Sequence, residues 1–165
     1  MTIPLLIFDV DGVLTDGRLA PGPGGDTEKM FSSQDGFAMK LWRRQGRKIA
    51  LISGRKSTVV DRRAAELGLD FVFTGMEEKL VSYEAVLAET KVAEADVAFV
   101  GDDLPDLPVM RRCGVPLAVA NALPEVKRAA VFVARRSGGG GAAAELIEWL
   151  MRLDGSWQRA RGFVC

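Results

Sequence analysis

The sequence predicts an α/β fold, in which helices cover both faces of a parallel β-sheet. Short, nearly continuous apolar runs alternate along the chain with segments in which apolar residues recur at helical spacing. Strands buried on both faces show such runs, and strands that alternate with helices form βαβ units. The length of 165 residues suits one such sheet, because a single core usually holds about 100–200 residues.

Six apolar runs account for the predicted strands. They are residues 5–10, 48–53, 70–73, 96–101, 115–119 and 131–133. The first four runs are the stronger ones, and we interpret them as strands buried on both faces of the sheet.

Segments with helical spacing lie between these runs. The predicted helices are residues 37–42, 59–67, 80–87 and about 142–153. Gly46 and Gly68 follow the first two, and glycine is a common helix terminator. The last helix follows a Gly-rich run at residues 137–141; such runs are usually linkers, but one at a helix N-terminus can also bend over an anion.

One segment interrupts the alternation. Residues 12–31 contain two strand-like stretches around the turn signal Pro21-Gly22-Pro23-Gly24-Gly25-Asp26. This pattern predicts a small β-hairpin that projects from the sheet.

Composition limits the classes of function. Lys and Arg number 22, as do Asp and Glu, so no net positive field favours nucleic acid or an anionic membrane surface as a partner. With only two cysteines, the sequence is not typical of a secreted domain stabilised by disulfides. The apolar run near the N-terminus is far shorter than the roughly 18 residues needed to span a bilayer. We therefore expect a cytoplasmic protein without a leader. The absence of histidine excludes His-based triads and His-ligated zinc.

Polar residues collect just after four of the predicted strands. They are Asp9, Asp11 and Thr15 after the first, Ser53 and Arg55 after the second, Lys79 after the third, and Asp102, Asp103 and Asp106 after the fourth. Ligands of an open parallel sheet bind beyond the carboxyl ends of its strands, where the strand order reverses. Carboxylates crowded at such an edge repel one another unless a cation neutralises them, and oxygen ligands suit Mg²⁺. We therefore expect a magnesium site here.

These residue types suit the transfer of a phosphoryl group. Asp9, with one oxygen on the metal, has a second oxygen to attack phosphorus and form an aspartyl-phosphate. Asp11, two residues on, is expected to point the same way, to protonate the leaving alkoxide and then to activate water. Ser53 and Lys79 are expected to bind the non-bridging phosphate oxygens.

The acidic loop after the fourth strand has a supporting role in this prediction. Asp102 completes the metal shell, while Asp103 and Asp106 either reach the ion through water or orient Lys79 and the metal-bound waters. Each residue also has a simpler interpretation, since Asp at a strand end often forms a turn or caps a helix and a lone Lys is usually solvated. Arg55 is as readily a surface charge as a substrate contact. The functional interpretation is favoured because the motifs occur together.

The same motifs resemble those of a known superfamily. Asp9-x-Asp11-Gly12-x-x-Thr15, Ser53, Lys79 and Gly101-Asp102-Asp103-x-x-Asp106 are similar, in order, to the four motifs of the haloacid dehalogenase (HAD) superfamily of phosphatases. Roughly residues 3–153 resemble the 3-deoxy-D-manno-octulosonate 8-phosphate (KDO 8-phosphate) phosphatases within it. The further segments that carry this resemblance include Thr15-Asp16-Gly17, Ser33-x-Asp35-Gly36, Ser53-Gly54-Arg55-x-Ser57 and Gly138-Gly139-x-Gly141-Ala142.

The resemblance implies a Rossmann-like, HAD-like domain at residues 1–153 with no cap domain, followed by a tail at residues 154–165. It also implies Mg²⁺ dependence, a homotetramer, a phosphorylated 3-deoxy sugar acid as substrate and a place in lipopolysaccharide biosynthesis. Carried onto this chain, the metal residues are Asp9, Asp11 and Asp102 and the substrate contacts are Thr15, Gly54 and Arg55. Without a cap the site lies open in a monomer, so we expect the hairpin at residues 12–31 of a neighbouring subunit to close it.

One position departs from the family pattern. Ala144 stands before Glu145, where the family normally has an Arg associated with the acid end of the substrate. Arg135, Arg136, Arg159 and Arg161 are candidates to replace it. The substrate therefore stays open between KDO 8-phosphate, a phosphorylated nine-carbon keto-deoxy acid and a heptose phosphate. A catalytically silent oligomerisation module is the alternative outside enzyme function.

Overall fold

The computed structural model describes residues 2–22 and 27–163. Within these residues the strands are β1 Leu5–Phe8, β2 Ala20–Pro21, β3 Thr27–Glu28, β4 Lys48–Ser53, β5 Phe71–Thr74, β6 Val97–Gly101, β7 Val115–Ala118 and β8 Phe132–Val133. Six of them form one parallel sheet in the order β5-β4-β1-β6-β7-β8, and β2 and β3 form a separate antiparallel pair. The chain therefore reverses its direction across the sheet at β1, which lies between β4 and β6.

The helices form two groups. They are α1 Ser33–Arg44, α2 Thr58–Leu67, α3 Lys79–Thr90, α4 Leu107–Met110, α5 Pro124–Ala129, α6 Ala142–Leu153 and α7 Trp157–Arg161, with short 3₁₀ turns at Glu94–Asp96 and Leu104–Asp106. Helix α1 contacts α2, α6 and α7, whereas α4 contacts α3 and α5. Right-handed crossovers on either side of the reversal at β1 place these groups on opposite faces of the sheet. The predicted α/β fold is confirmed.

The central strand and its neighbours form the core. All four residues of β1 are fully buried, and Trp42 of α1 and Tyr83 of α3 are among the largest fully buried side chains. Helix α2 begins where the Ser57 side chain accepts from the Val60 N–H, and it ends at Gly68 in the left-handed conformation. Helix α2 is therefore capped at both ends.

The six predicted strands of the sheet and the four predicted helices are all present, with one difference in burial. Strand β5, predicted to be buried on both faces, is only half-buried along its length. That prediction is wrong because β5 is an edge strand, so one side of it faces no neighbour in the sheet.

The predicted hairpin is smaller than residues 12–31. Only Ala20 and Pro21 pair with Glu28 and Thr27, and residues 23–26 of the predicted turn lie outside the described residues. Residues 11–14 form a tight turn rather than a strand.

The segment after α6 packs on the body of the domain. Arg47 Nη2 lies 2.6 Å from Asp154 Oδ2 and 3.0 Å from Ser156 Oγ, and Ala160 of α7 is fully buried. The division into a domain at 1–153 and a tail at 154–165 stays a prediction. Among the described residues, no helix has both the length and the apolar character needed to cross a bilayer.

Candidate active site

A cavity of about 480 Å³ opens at the carboxyl ends of the strands, beside the reversal point at β1. Its lining residues are Asp9, Asp11, Gly17, Leu19, Ser53, Gly54, Arg55, Glu77, Lys79, Asp102, Asp103, Pro105 and Asp106. A volume of this size suits a small ligand. Every residue predicted for the site lines this cavity except Thr15.

Asp9 and Lys79 form the buried centre of the site. Asp9 directly follows β1, and Lys79 is the first residue of α3; both side chains are 7% exposed. Lys79 Nζ donates to Asp9 Oδ1 at 2.6 Å and to Asp106 Oδ1 at 2.6 Å. Burial alone would lower the pKa of Lys79, but the charges of Asp9 and Asp106 outweigh burial and raise it, so the ammonium stays protonated at neutral pH.

Asp106 holds the acidic loop together. Its Oδ2 accepts from the backbone N–H groups of Asp102, at 2.9 Å, and Asp103, at 3.2 Å. The Asp103 side chain in turn accepts from the Leu104 N–H at 2.7 Å and begins the 3₁₀ turn. Both oxygens of Asp106 are thus already used by protein donors, which fits the predicted orienting role of this fully buried residue.

Three carboxylates lie close enough to share a cation. Oxygen atoms of Asp9, Asp102 and Asp106 lie within 4.8 Å of one another, and Asp102 Oδ1 is buried without a hydrogen-bond partner. Burial, and then the charge of Asp106, raises the pKa of Asp9 to about 7; burial, and then the charge of Asp9, raises the pKa of Asp102 to about 8. A divalent cation would relieve both penalties, and all-oxygen donors fit Mg²⁺.

Gly12 lets the loop after β1 approach Asp102. Gly12 has a φ of +89°, and a Cβ at this position would lie 2.0 Å from Asp102 Oδ2. Only glycine permits this conformation and this contact together. The loops that carry Asp9 and Asp102 are therefore packed directly against each other.

Asp11 lies outside the carboxylate cluster, although the sequence predicts it to contribute to the metal site. Lys29, which follows β3, donates to its Oδ1, and Arg55 Nε lies 4.0 Å from its Oδ2. The Asp11 side chain is 21% exposed and lines the cavity. Asp11 thus lines the same cavity as Asp9 but is paired with cations, and its metal contact stays a prediction.

Ser53 and Thr15 hold the loops around the cavity. Ser53 is buried at the end of β4, and its Oγ accepts from the Arg55 N–H at 3.3 Å. Thr15 Oγ1 accepts from the N–H groups of Gly12, at 3.3 Å, and Gly17, at 3.2 Å. The Thr15 hydroxyl therefore stabilises its own loop. Its contact with substrate stays a prediction.

Sequence reasoning missed three polar residues at or beside the site. Glu77 lines the cavity, and Lys29 pairs with Asp11. Asn121 joins two loops, because its Nδ2 donates to the Gly12 carbonyl at 2.9 Å and its Oδ1 accepts from the Gly138 N–H at 2.7 Å. Asn121 could have been found from the sequence, because it comes just after β7 at the same edge of the sheet. For Glu77 and Lys29 the sequence offers no indication of a site other than their charge.

Ala144 lies away from the cavity of its own chain. Its N–H donates to Asp35 Oδ1 at 2.8 Å, and its side chain lines a separate groove with Arg135 and Arg136. None of the four candidate arginines is among the residues that line the cavity. Among the described residues, Arg55 and Lys79 are the cations that line the cavity.

Comparisons with known proteins identify the family of the chain. Residues 35–114 match the haloacid dehalogenase-like hydrolase family. The chain is 39% identical over 160 residues to the 3-deoxy-D-manno-octulosonate 8-phosphate phosphatase KdsC of Escherichia coli K12, covering 97% of this chain and 85% of that protein.

Two solved structures are similar over nearly the whole chain. A probable YrbI family phosphatase from Pseudomonas syringae is 45% identical with a TM-score of 0.94, covering 99% of this chain and 93% of the other. The KDO 8-phosphate phosphatase of Moraxella catarrhalis, solved with a magnesium ion, phosphate and KDO, is 31% identical with a TM-score of 0.94, covering 99% and 94%. With this identity over almost its full length, the chain belongs to the haloacid dehalogenase-like hydrolases, in the family of KDO 8-phosphate phosphatases.

Proposed function

We propose that this protein is a Mg²⁺-dependent phosphatase that hydrolyses KDO 8-phosphate through an aspartyl-phosphate on Asp9. The observation that carries the proposal is the carboxylate of Asp9, buried at the end of the central strand, paired with Lys79 and within cation-sharing distance of Asp102. A purely structural domain has no need of such mutually repelling acids. The magnesium, phosphate and KDO bound to the Moraxella relative support the same assignment.

The first half-reaction transfers the phosphoryl group to Asp9. A carboxylate oxygen of Asp9 forms the new bond to phosphorus while the bond to the sugar oxygen breaks, and Asp11 gives its proton to the leaving alkoxide. Lys79 and the Ser53 loop bind the non-bridging oxygens. Mg²⁺, when held by Asp9 and Asp102, supplies positive charge against the phosphoryl oxygens.

The second half-reaction returns the enzyme to its starting state. Asp11, now ionised, takes a proton from a water molecule as the water oxygen bonds to phosphorus. The bond between phosphorus and the Asp9 oxygen breaks, and inorganic phosphate leaves. Lys79 keeps the Asp9 carboxylate oriented through both steps, because its ammonium donates to Asp9 Oδ1.

The assembly we propose is a homotetramer, working in the cytoplasm in lipopolysaccharide biosynthesis. Leu19 and Met30, on either side of the β2–β3 pair, are exposed apolar residues, and Leu19 lines the cavity. Exposed apolar surface beside an open site fits coverage by the hairpin of a neighbouring subunit. A monomer in solution with full activity would contradict this arrangement, and light scattering with parallel assays measures both properties.

The decisive experiment ranks substrates by kcat/KM. Phosphate release with Mg²⁺ is measured for KDO 8-phosphate, a nine-carbon keto-deoxy acid phosphate and a heptose phosphate. We expect KDO 8-phosphate to rank first, and a flat ranking would refute the substrate assignment. The nine-carbon acid and the heptose phosphate both stay in the panel, because Ala144 lacks the basic group that the family carries there.

Two perturbations distinguish an enzyme from a catalytically silent oligomerisation module. Asp9→Asn and chelation of Mg²⁺ should each abolish phosphate release, since the first removes the attacking carboxylate and the second its charge partner. Asp96→Asn is the matched control, because Asp96 is exposed at the opposite, amino end of β6. A folded wild-type protein that releases no phosphate from any ester would favour the silent module.

A further inference from the structure

Lys29 lies outside the four motifs, and its side chain is buried although the residue as a whole is only partly so. Its side chain is 1% exposed, although the residue follows a strand pair of only two residues on each side. A buried ammonium needs an opposite charge, because desolvation without one is costly. The partner of Lys29 is Asp11, whose Oδ1 accepts its hydrogen bond.

Asp11 is held unequally on its two sides. The buried Lys29 contacts Oδ1, whereas the Arg55 side chain, 59% exposed, lies 4.0 Å from Oδ2. A buried side chain has few alternative rotamers, but an exposed arginine has many. Lys29 is therefore the firmer restraint on the orientation of the Asp11 carboxylate.

The pairing parallels that of Asp9. Lys79, from α3, fixes Oδ1 of Asp9, and Lys29, from the hairpin, fixes Oδ1 of Asp11. The two carboxylates that follow β1 are thus each bound by a separate lysine from a different element. Asp11 has left the regular strand, so its direction is not set by strand geometry.

We infer that Lys29 is a positioning residue, which holds Oδ1 of Asp11 so that Oδ2 faces the oxygen of the leaving alcohol. This inference rests on the proposed function, in which Asp11 transfers the proton. A structural role alone, anchoring the hairpin to the domain, is the competing explanation. The two explanations differ in which substrates suffer when Lys29 is replaced.

Leaving groups provide the test. An alkoxide such as the sugar oxygen needs a proton as it departs, whereas para-nitrophenolate is stable without one, so its release depends far less on Asp11. Lys29→Met should lower kcat/KM for KDO 8-phosphate by about 10²-fold, the usual cost of a catalytic group displaced by about 1 Å. For para-nitrophenyl phosphate the loss should be at most about 10-fold. The ratio kcat/KM is used because it reports transfer to Asp9 and not the later hydrolysis.

Further variants tie the effect to Asp11. Asp11→Asn should show the same preference between the two substrates, and adding Lys29→Met to it should cost little more, since the group being positioned is gone. Lys29→Arg should recover part of the loss because it keeps a donor of the same charge. Lys40→Met, an exposed lysine of α1, is the control for removing a lysine.

The outcomes separate the two proposals. Equal losses on both substrates, or losses that add in the double variant, would overturn the positioning role of Lys29. Hydrolysis of para-nitrophenyl phosphate by Lys29→Met itself reports a folded site, so a failure to fold is visible in the same assay. A wild-type enzyme that cleaves neither ester, or an Asp9→Asn variant that cleaves both, would instead refute the proposed function.

Discussion

Replacing Gly12 by Ala should weaken magnesium binding, yet cost the fold no more than the same replacement at a glycine that lies far from Asp102. A Cβ on Gly12 would lie 2.0 Å from Asp102 Oδ2 and 2.7 Å from its Cγ, where ordinary contact begins at 3.4 Å. The carboxylate oxygen therefore has to retreat by more than ~1 Å, whereas metal–ligand distances tolerate only about 0.2 Å. Asp102 Oδ1 has no hydrogen bond to lose, so the side chain can turn away at little cost to the fold.

Gly46 offers a matched control. Its φ of +75° is close to the +89° of Gly12, but a Cβ there would meet nothing within 4 Å. In both variants the left-handed backbone costs roughly 1–2 kcal/mol, offset in part by about 0.4–1 kcal/mol from the stiffer unfolded chain. The two metal-free variants should therefore unfold in urea with similar losses of about 1 kcal/mol.

Magnesium titration by calorimetry then separates the two variants. Gly12→Ala should bind Mg²⁺ at least about 10-fold more weakly than Gly46→Ala, and its kcat/KM should fall by about 10²-fold. Equal magnesium affinities in the two variants would refute the assignment of Asp102 as a metal ligand.

Three further predictions concern the charges and contacts around the cavity. Burial raises the pKa of Asp9 to about 7 and that of Asp102 to about 8, so the folded metal-free protein keeps protons that the unfolded chain releases near pH 4. The melting temperature of the metal-free protein should therefore fall as pH rises from about 4 to about 8, and it should fall less steeply in Asp102→Asn. Mg²⁺ should raise the melting temperature most near pH 8. An equally steep fall in Asp102→Asn would contradict this reasoning. Asp106→Ala removes the acceptor of the buried Lys79 ammonium and of two backbone N–H groups. In saturating Mg²⁺ it should lower the free energy of unfolding, measured in urea, by about 3 kcal/mol. A loss below about 1 kcal/mol would contradict this prediction. Asn121→Ala leaves the Gly12 carbonyl and the Gly138 N–H without their side-chain partner. It should lower the free energy of unfolding by about 1–3 kcal/mol and lower kcat as well. An unchanged kcat would show that these two hydrogen bonds do not support the site.

The elements and most of the site were predictable from local patterns. Apolar runs identified the strands, and parallel pairing brings the residues after each strand to one edge whatever the details of packing. Asp9, Ser53, Lys79 and Asp102 therefore meet around one cavity, as expected. Half-burial of β5 was not predictable, because the composition of a short run does not reveal whether a strand lies at an edge.

The partners of the acidic residues depend on contacts between distant segments. Asp11 was expected to join Asp9 because residues two apart share a face of a strand, but β1 ends at Phe8 and the chain then turns tightly at Val10. Lys29 and Asn121 reach the loop after β1 from 18 and 109 residues away. Neither spacing nor composition encodes such contacts, so the sequence could not indicate them.

The two lysine–carboxylate pairs lie on parts of the fold that open at different free energies. Strand β1, which carries Asp9, is fully buried between two neighbours, so its amide protons should exchange with solvent only when the whole domain unfolds. The β2–β3 pair next to Lys29 has two residues on each side, and its amides should exchange through small local openings. We therefore expect the proposed nucleophile, Asp9, to adjoin the most slowly exchanging part of the described chain, and Lys29, which binds Asp11, to adjoin one of the fastest.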